Sequence, residues 1–538
     1  MLVILKKANT WVGLSCILMA FYSCGTAWLD EQPLTDISTA TFWTNESDAR
    51  LILNGIYAQS TIGDNTGNHI LRTTSGMIGE ASTKNPRVGY WTSGYYIPSS
   101  TDVVDLIWNR CYAAIFRANY FLENIESVEM DSNIKAQYIA EVRFLRAYEY
   151  FYLSLFFGGV PLITHVLTID EANTQSRNPL SEVVAFASSE FTEAARDLPA
   201  TRPDSERGRI LKSAALAVKG RLLMMEKKWG EAAAAYKEII DLDAHLIDPR
   251  YKALFEEAGE TSKEIIMSTI CIASLRPNIQ NQRSYHPDMY GGYTEICPTQ
   301  QVVDAFLMND GLPIEESPLY DPANPYDNRD PRLYANIFLP YYTVFRGQLY
   351  DQTEIASLNT TGYSCKKYVT ENYTGDAGNS GDDIILLRYA EVLLSYLESK
   401  LENGDAITQE LLNQTINLVR GRQEINMPMV TETDPDKLRE IVRRERRVEF
   451  YFERVIRYMD VMRWGIFMEI ANQVVYGMKL TDDPDNYTDF VVETTGKYRG
   501  HYIVLDKRGT FKPEHALLPL PQYEININPN LVQNPGYE

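Results

Sequence analysis

The residues in this chain best suited to chemistry are aromatic. It carries 35 Tyr but only 6 His. A tyrosine offers a stiff, amphipathic face at small entropic cost, so Tyr-rich loops suit recognition. Scarce histidine argues against acid–base or zinc catalysis. Aromatic and polar residues mix most densely in two places. One runs from Asn68 to Arg72 (NHILR) and on to GYWTSGYY at 89–96, which holds Tyr90, Trp91, Tyr95 and Tyr96. The other is the set of loops bearing Tyr290, Tyr293, Tyr341 and Tyr342. Charge clusters elsewhere. Arg443, Arg444, Glu445, Arg446, Arg447 and Glu449 crowd one helix, where Glu449 can pair with Arg446 and Glu453 with Arg457 along its face. That pattern reads as a solvated or salt-bridged helix, the sharper alternative being an internal ion network or a docking surface. Asp327, Arg329, Asp330 and Arg332 read as fixing a turn before a helix. Asp482, Asp483, Asp485, Asn486 and Asp489 gather oxygen ligands without the spacing of a calcium loop, and read as a solvated acidic loop.

The elements that must position these residues are mostly helical. Apolar residues recur at helical spacing over 48–59, with Asp48 at or near the N-cap, and over 103–128, 133–157, 179–197, 208–225 and 229–241. The last two segments resemble a tetratricopeptide hairpin, because small residues such as Ala214, Ala217, Gly220 and Ala232 let paired helices approach closely. Residues 63–100 read as surface loops, and 264–273 as a strand. Helices resume at 383–401, 408–422 and 435–464, and the tail 517–538 reads as extended on the surface. The expected organisation is an all-α body at about 40–245 and 383–465, a loop-rich ligand-side region at about 246–382 with minor β structure, and a loop-rich C-terminal segment at 466–538.

The N-terminus reads as an address. Lys6 and Lys7 precede an apolar run at 11–21, too short to span a bilayer but right for a signal peptide over 1–23. Ser23 then precedes Cys24, the expected lipidation site, although Phe21 stands where Leu is usual. Several acyl chains on Cys24 would hold the mature chain at a membrane. Cys111, Cys271, Cys297 and Cys365 remain, and read as buried free thiols rather than two disulfides or a metal site. The net charge of −21 disfavours nucleic acid as a partner.

Eight segments, in order, resemble the SusD/RagB family of Bacteroidetes outer-membrane lipoproteins. They are WLDEQPLTDISTATFWTNESDARLILNGIY (28–57), AEVRFLRAYEYFYLSLFFGGVPLI (140–163), FLMNDGLPI (306–314), YDNRDPRL (326–333), LLRYAEVLLSYLES (386–399), INLVRGR (416–422), RRERRVEFYFERVIRYMDVMRWG (443–465) and LLPLPQYEININPNLVQNPGY (517–537). The resemblance implies a SusD-like helical fold with tetratricopeptide-like pairs and no catalysis or cofactor. It implies capture of an oligosaccharide, or in some branches a peptide, for a TonB-dependent SusC-like transporter. Ligand residues lie outside the shared motifs, so the site rests on chemistry. An aromatic ring stacks on the C–H face of a sugar while Asn and Arg pair with its hydroxyls. Trp91 is the first expected contact, with Tyr90, Tyr95, Tyr96, Asn68 and Arg72 beside it, and Tyr290, Tyr293, Tyr341 and Tyr342 second. A glycoside hydrolase would need two facing carboxylates about 5–10 Å apart, and no pair is marked as such. A generic tetratricopeptide scaffold for protein partners fits the signal region and aromatic loops less well.

Overall fold

Helix α1 (Glu46–Gln59) starts at Asn45, whose side chain accepts the Ser47 and Asp48 amides while the Asp48 carboxylate accepts the Asn45 amide in return. The cap is therefore Asn45, with Asp48 completing the capping box from three residues on. The computed structural model describes residues 42–64, 74–83, 94, 97–99, 103–278, 280–351, 360–505 and 511–537. Amphipathic helices α2 (Val103–Asn124), α3 (Ser132–Phe157), α4 (Leu180–Asp197), α5 (Lys212–Met225) and α6 (Trp229–Asp241) follow, each packed on the next. The α5–α6 pair closes through Gly220: a Cβ there would lie 2.5 Å from Cζ of the buried Tyr236 ring. Gly220→Ala should therefore overpack the pair and destabilise the protein by about 1–3 kcal/mol. The check is a urea midpoint lowered at constant slope.

The middle of the chain is loops stitched by short strands. In order come β1 (Ile265–Thr269), α7 (Gln300–Ala305), α8 (Pro331–Asn336), β2 (Ile337–Phe338), β3 (Val344–Phe345), β4 (Gln348–Leu349), β5 (Ser364–Cys365) and β6 (Ile384–Arg388). β3 and β4 form a hairpin, β2 pairs with β5, and β1 pairs with β6, all antiparallel. Strand β6 corrects the helix expected over 383–401, which begins only at Tyr389. All five residues of β6 are buried, and a short continuous apolar run does not distinguish strand from helix. Helix α9 (Tyr389–Glu402) packs on α6, so the helical array continues across the loop-rich insertion.

Two further expected helices are broken. Residues 408–422 form α10 (Gln409–Gln414) and α11 (Ile416–Arg420), divided where Thr415 Oγ1 donates 2.6 Å to the Leu411 carbonyl. Residues 435–464 form α12 (Pro435–Glu449) and α13 (Ile456–Arg463), with Phe452 and Arg454 at φ +63° and +37° in the link. Two strands, β7 (Val475–Lys479) and β8 (His501–Leu505), pair antiparallel, and α14 (Gln522–Ile527) lies in the tail. The tail is not simply extended on the surface. Leu518, Leu520 and Leu531 enter the main core, the Leu518 amide donates 2.6 Å to the Phe156 carbonyl, and Asn534 Nδ2 donates 3.1 Å to the Phe157 carbonyl.

The charged face of α12 departs furthest from a solvated surface. Glu449 is fully buried; its Oε1 accepts from Arg388 (2.8 Å) and Arg422 (2.7 Å), and its Oε2 from Arg332 (2.9 Å). Glu264 and Glu453 hold the other sides of Arg388, and Lys367 donates to Glu453 at 2.6 Å. Arg446 pairs with Asp460 rather than Glu449, and Arg457 with Glu80 rather than Glu453. Asp330 caps α8, as the turn reading expects, and also anchors Arg332 at 2.7 Å. Ions buried at this density persist only because nearly every one is matched and hydrogen-bonded.

Cys111, Cys271, Cys297 and Cys365 are buried free thiols. Cys24 lies outside the described residues. Among the described residues no helix is long and apolar enough to cross a membrane.

Candidate functional site

The turn between β2 and β3 places two adjacent tyrosines at the surface. Tyr341 is 56% exposed and Tyr342 40%, well above what their bulk and ring character favour. Tyr341 has φ +58°, a left-handed conformation that costs a non-glycine residue about 1 kcal/mol or more. Its amide donates 2.8 Å to the Tyr350 carbonyl, and the Thr343 hydroxyl accepts the Leu339 amide at 2.9 Å, which together fix the turn. The Tyr342 ring stacks on Tyr334 (centroids 5.6 Å, planes 19° apart) and takes the edge of Tyr326 (5.7 Å, 68°). Behind them Tyr334 donates 2.6 Å to the Tyr326 carbonyl, and Tyr363 donates 2.5 Å to Gln300 Oε1 on α7. The outer rings thus stand on a rigid aromatic base.

These rings wall a cavity of about 910 Å³. Tyr320 and Tyr326 join Tyr341 and Tyr342 in its lining, and Tyr498, Arg499 and His501, from the β7–β8 region, complete it. Tyr498 stacks on Tyr476 at 4.2 Å and meets His501 edge-on at 5.5 Å. Lys497 binds Asp304 at 3.2 Å and Glu315 at 2.5 Å on the cavity rim. Burial pushes the Tyr326 hydroxyl up to about 12, and raises Tyr342, where Tyr334 and Asp327 add to it, and Tyr498, where Asp304 adds to it. All three are neutral donors at physiological pH. Burial also lowers His501, leaving a neutral imidazole. Against the burial that would raise it, the hydrogen bond from Lys497 holds Glu315 below the usual carboxylate range, opposite to what a general acid requires. The surface offers flat rings and neutral hydroxyls beside charged groups such as Lys497 and Arg499, a combination that binds a ring with an apolar face and a hydroxyl fringe.

Of the expected contacts, the structure brings Tyr341 and Tyr342 together here. Tyr290 packs inward instead, against Phe345 (5.1 Å) and Phe338 (5.9 Å), and donates to the Gln348 carbonyl at 3.2 Å. Tyr293 is half exposed but lies off the cavity lining, with the Arg283 guanidinium 4.7 Å over its ring. Asn68, Arg72, Tyr90, Trp91, Tyr95 and Tyr96 fall outside the described residues. Tyr320, Tyr326 and Tyr498 were not anticipated in the site. Tyr320 and Tyr326 flank a proline- and asparagine-rich loop, and Tyr498 sits in GKYRGHY (496–502), whose glycine, basic and aromatic mixture matches the first loop in kind. The acidic stretch at 482–489 is an exposed loop whose Asp482 pairs with Lys479 and Asp485 with Arg499. Among the described residues no three His, Cys, Asp or Glu side chains form a group able to hold a metal ion.

Two family models match the chain: the SusD family over residues 263–537, and a family described as starch-binding and associating with the outer membrane over 27–224. A SusD-like carbohydrate binding protein from Bacteroides fragilis has a similar crystal structure, with a TM-score of 0.84 and 34% identity over 91% of this chain and all of that one. SusD-like protein P25 of Formosa agariphila is 24% identical over 97% of this chain and 98% of its own length. The starch-binding protein SusD of Bacteroides thetaiotaomicron is 24% identical over 85% of this chain and 82% of its own.

Proposed function

Because this chain belongs to the SusD family, we propose that it is a non-catalytic glycan-binding protein of the outer-membrane surface. It is anchored through lipid on Cys24, captures an oligosaccharide and delivers it to a TonB-dependent SusC-like transporter. The observation that carries this reading is the pair of solvent-facing rings, Tyr341 and Tyr342, on the rim of the 910 Å³ cavity. That volume lies in the range of small-ligand sites, and the rings are held in place before any ligand arrives, which lowers the entropy lost on binding. The carbohydrate-binding and starch-binding descriptions of the relatives support the ligand class. The first aromatic loop, with Trp91 foremost and Tyr90, Tyr95, Tyr96, Asn68 and Arg72 beside it, is proposed as a second contact surface for the same ligand. Tyr290 and Tyr293 are not retained as contacts.

The test is a glycan panel measured by calorimetry on the mature chain from residue 25, beside Tyr342→Ala and Trp91→Ala. One glycan class should bind. Loss of the Tyr342 ring should weaken that binding roughly tenfold or more, from the apolar contact and stacking it removes. Binding that survives Tyr342→Ala but is lost in Trp91→Ala would move the site to the first loop. No binding across the panel, with binding of peptides instead, would overturn the glycan reading.

A further inference from the structure

A second cavity, of about 410 Å³, adjoins the tyrosine-walled one, and Asp304, Glu315, Lys497 and Tyr498 line both. Its lining is strongly basic, in a chain whose net charge is −21: Arg443, Arg444, Arg447 and Arg457 enter it beside Lys497. Their counter-charges do not cover them. Glu80 alone serves both Arg447 (2.9 Å) and Arg457 (3.3 Å), and Asp304 and Glu315 are taken by Lys497. Among the described residues, Arg443 and Arg444 have no carboxylate within ion-pair distance. The Arg443 Nε is buried without a hydrogen-bond partner, and its guanidinium lies 4.8 Å over the Trp464 ring. Burial lowers the Arg443 pKa, with Glu402 and Glu398 only partly opposing it. A buried N–H left unmade is costly, and a guanidinium presents a fork that matches a carboxylate or sulfate. Arg332 and Arg388 are closely matched by carboxylates, whereas the buried Arg329 and Arg454, like Arg443, have no ion pair among the described residues; Arg443 differs from those two in lining the 410 Å³ cavity.

We infer that this cavity receives an anionic substituent, a carboxylate or a sulfate, of the glycan whose rings stack in the neighbouring tyrosine cavity. The preferred ligand is therefore an acidic oligosaccharide, and Arg443 and Arg444 are the residues that select it. The inference rests on the glycan-binding reading given above. The shared wall supplies the continuity: a sugar chain lying on Tyr341 and Tyr342 presents its substituents past Lys497 to the arginines. A neutral chain fills the first cavity and leaves the second to water.

Two matched pairs of probes test it on the mature chain. One is a uronic-acid oligosaccharide and the same oligosaccharide after reduction of its carboxyl groups. The other is a sulfated oligosaccharide and its desulfated counterpart. Calorimetry should show one acidic member binding at least about tenfold tighter than its neutral partner, the margin shrinking as salt rises. Which pair shows the preference identifies the anion as carboxylate or sulfate. In the double variant R443Q/R444Q the acidic-to-neutral ratio should fall towards one, whereas R443K/R444K, which keeps the charge but not the fork, should retain part of it. Thermal midpoints of both variants report whether the fold is intact, and Arg444→Gln alone, at an exposed position, supplies a ratio free of packing loss. Equal affinity within both pairs, or a preference undiminished in R443Q/R444Q, would overturn the inference while leaving glycan binding in place. Failure of all four probes and of the wider panel would overturn both readings.

Discussion

Glu449→Gln should destabilise the protein by about 3–5 kcal/mol, a large part of the roughly 5–15 kcal/mol that holds a typical domain. The carboxylate is fully buried and serves three guanidiniums, those of Arg332, Arg388 and Arg422, while its carbonyl takes a fourth bond from Arg388 Nη2 at 3.0 Å. Glutamine keeps the shape and removes the charge, so the three cations are left facing an amide that answers them only weakly. Urea unfolding followed by circular dichroism measures the loss, and a loss under about 1 kcal/mol would show that Glu264, Glu445 and Glu453 suffice without it. The pH dependence has a definite sign. Against the desolvation that burial imposes, Arg422, Arg388 and Arg332 hold Glu449 well below the usual carboxylate range. A depressed carboxylate contributes its full stability above its unfolded value, near pH 4.5, and loses it as pH falls towards the folded value. The acid limb of the wild-type stability curve should therefore be steeper than that of Glu449→Gln.

Glu149→Gln should act in the opposite sense. Glu149 lies on α3 with no exposed surface and accepts the Thr61 amide at 2.9 Å and the Thr61 hydroxyl at 3.2 Å. Burial pushes its carboxyl from about 4.5 up to about 7, with the Thr61 amide and the Cys111 thiol pulling only partly back. A carboxyl whose folded value is raised favours the fold in its neutral form. Its contribution is intact below pH 4.5 and is lost as pH rises through about 7, by roughly 3 kcal/mol in full. Glutamine carries no such charge and keeps an acceptor for Thr61. Relative to wild type, the variant should thus gain about 2–3 kcal/mol between pH 5 and pH 8. Thermal or urea unfolding at the two pH values reads the difference, and parallel curves would show that Glu149 is ionised in the fold at both.

The sequence was most legible where one helix packs on the next. The segments 103–128, 133–157, 179–197, 208–225 and 229–241 carry the apolar period of a helix, and the observed ends of α6 match the expected ones at both termini. Legibility failed where a local pattern had two solutions. The run IILL that opens β6 is apolar throughout, and only its pairing with β1, more than a hundred residues earlier, makes it a strand. The long helix expected at 435–464 ignores a demand no period can register: Glu453 must turn inward to Arg388 and Lys367, and the backbone breaks between α12 and α13 to let it. The charges of α12 looked like a surface because their partners, at Arg332, Arg388, Arg422 and Asp460, are scattered over the chain. The candidate site divides in the same way. Tyr341 and Tyr342 announce themselves by being aromatic in a loop; Tyr498 does not, since only the folding back of β8 on β7 carries it to Asp304.

The tail that returns to α3 sets an order of events during synthesis. Arg177 donates to the Val532 carbonyl and to Asn534 Oδ1, both at 2.7 Å, and Asn534 reaches Phe157 across a separation of 377 residues. Until the last residues are made, the Phe156 carbonyl at the end of α3 lacks its Leu518 partner and the core beneath Leu518 and Leu531 stays open. A ribosome can therefore release α1 to α6 as helices long before it can release them as a finished body. Contacts this distant in sequence slow closure, because the loop must be shut before the packing rewards it. The nascent chain thus remains loosely packed until its final segment docks.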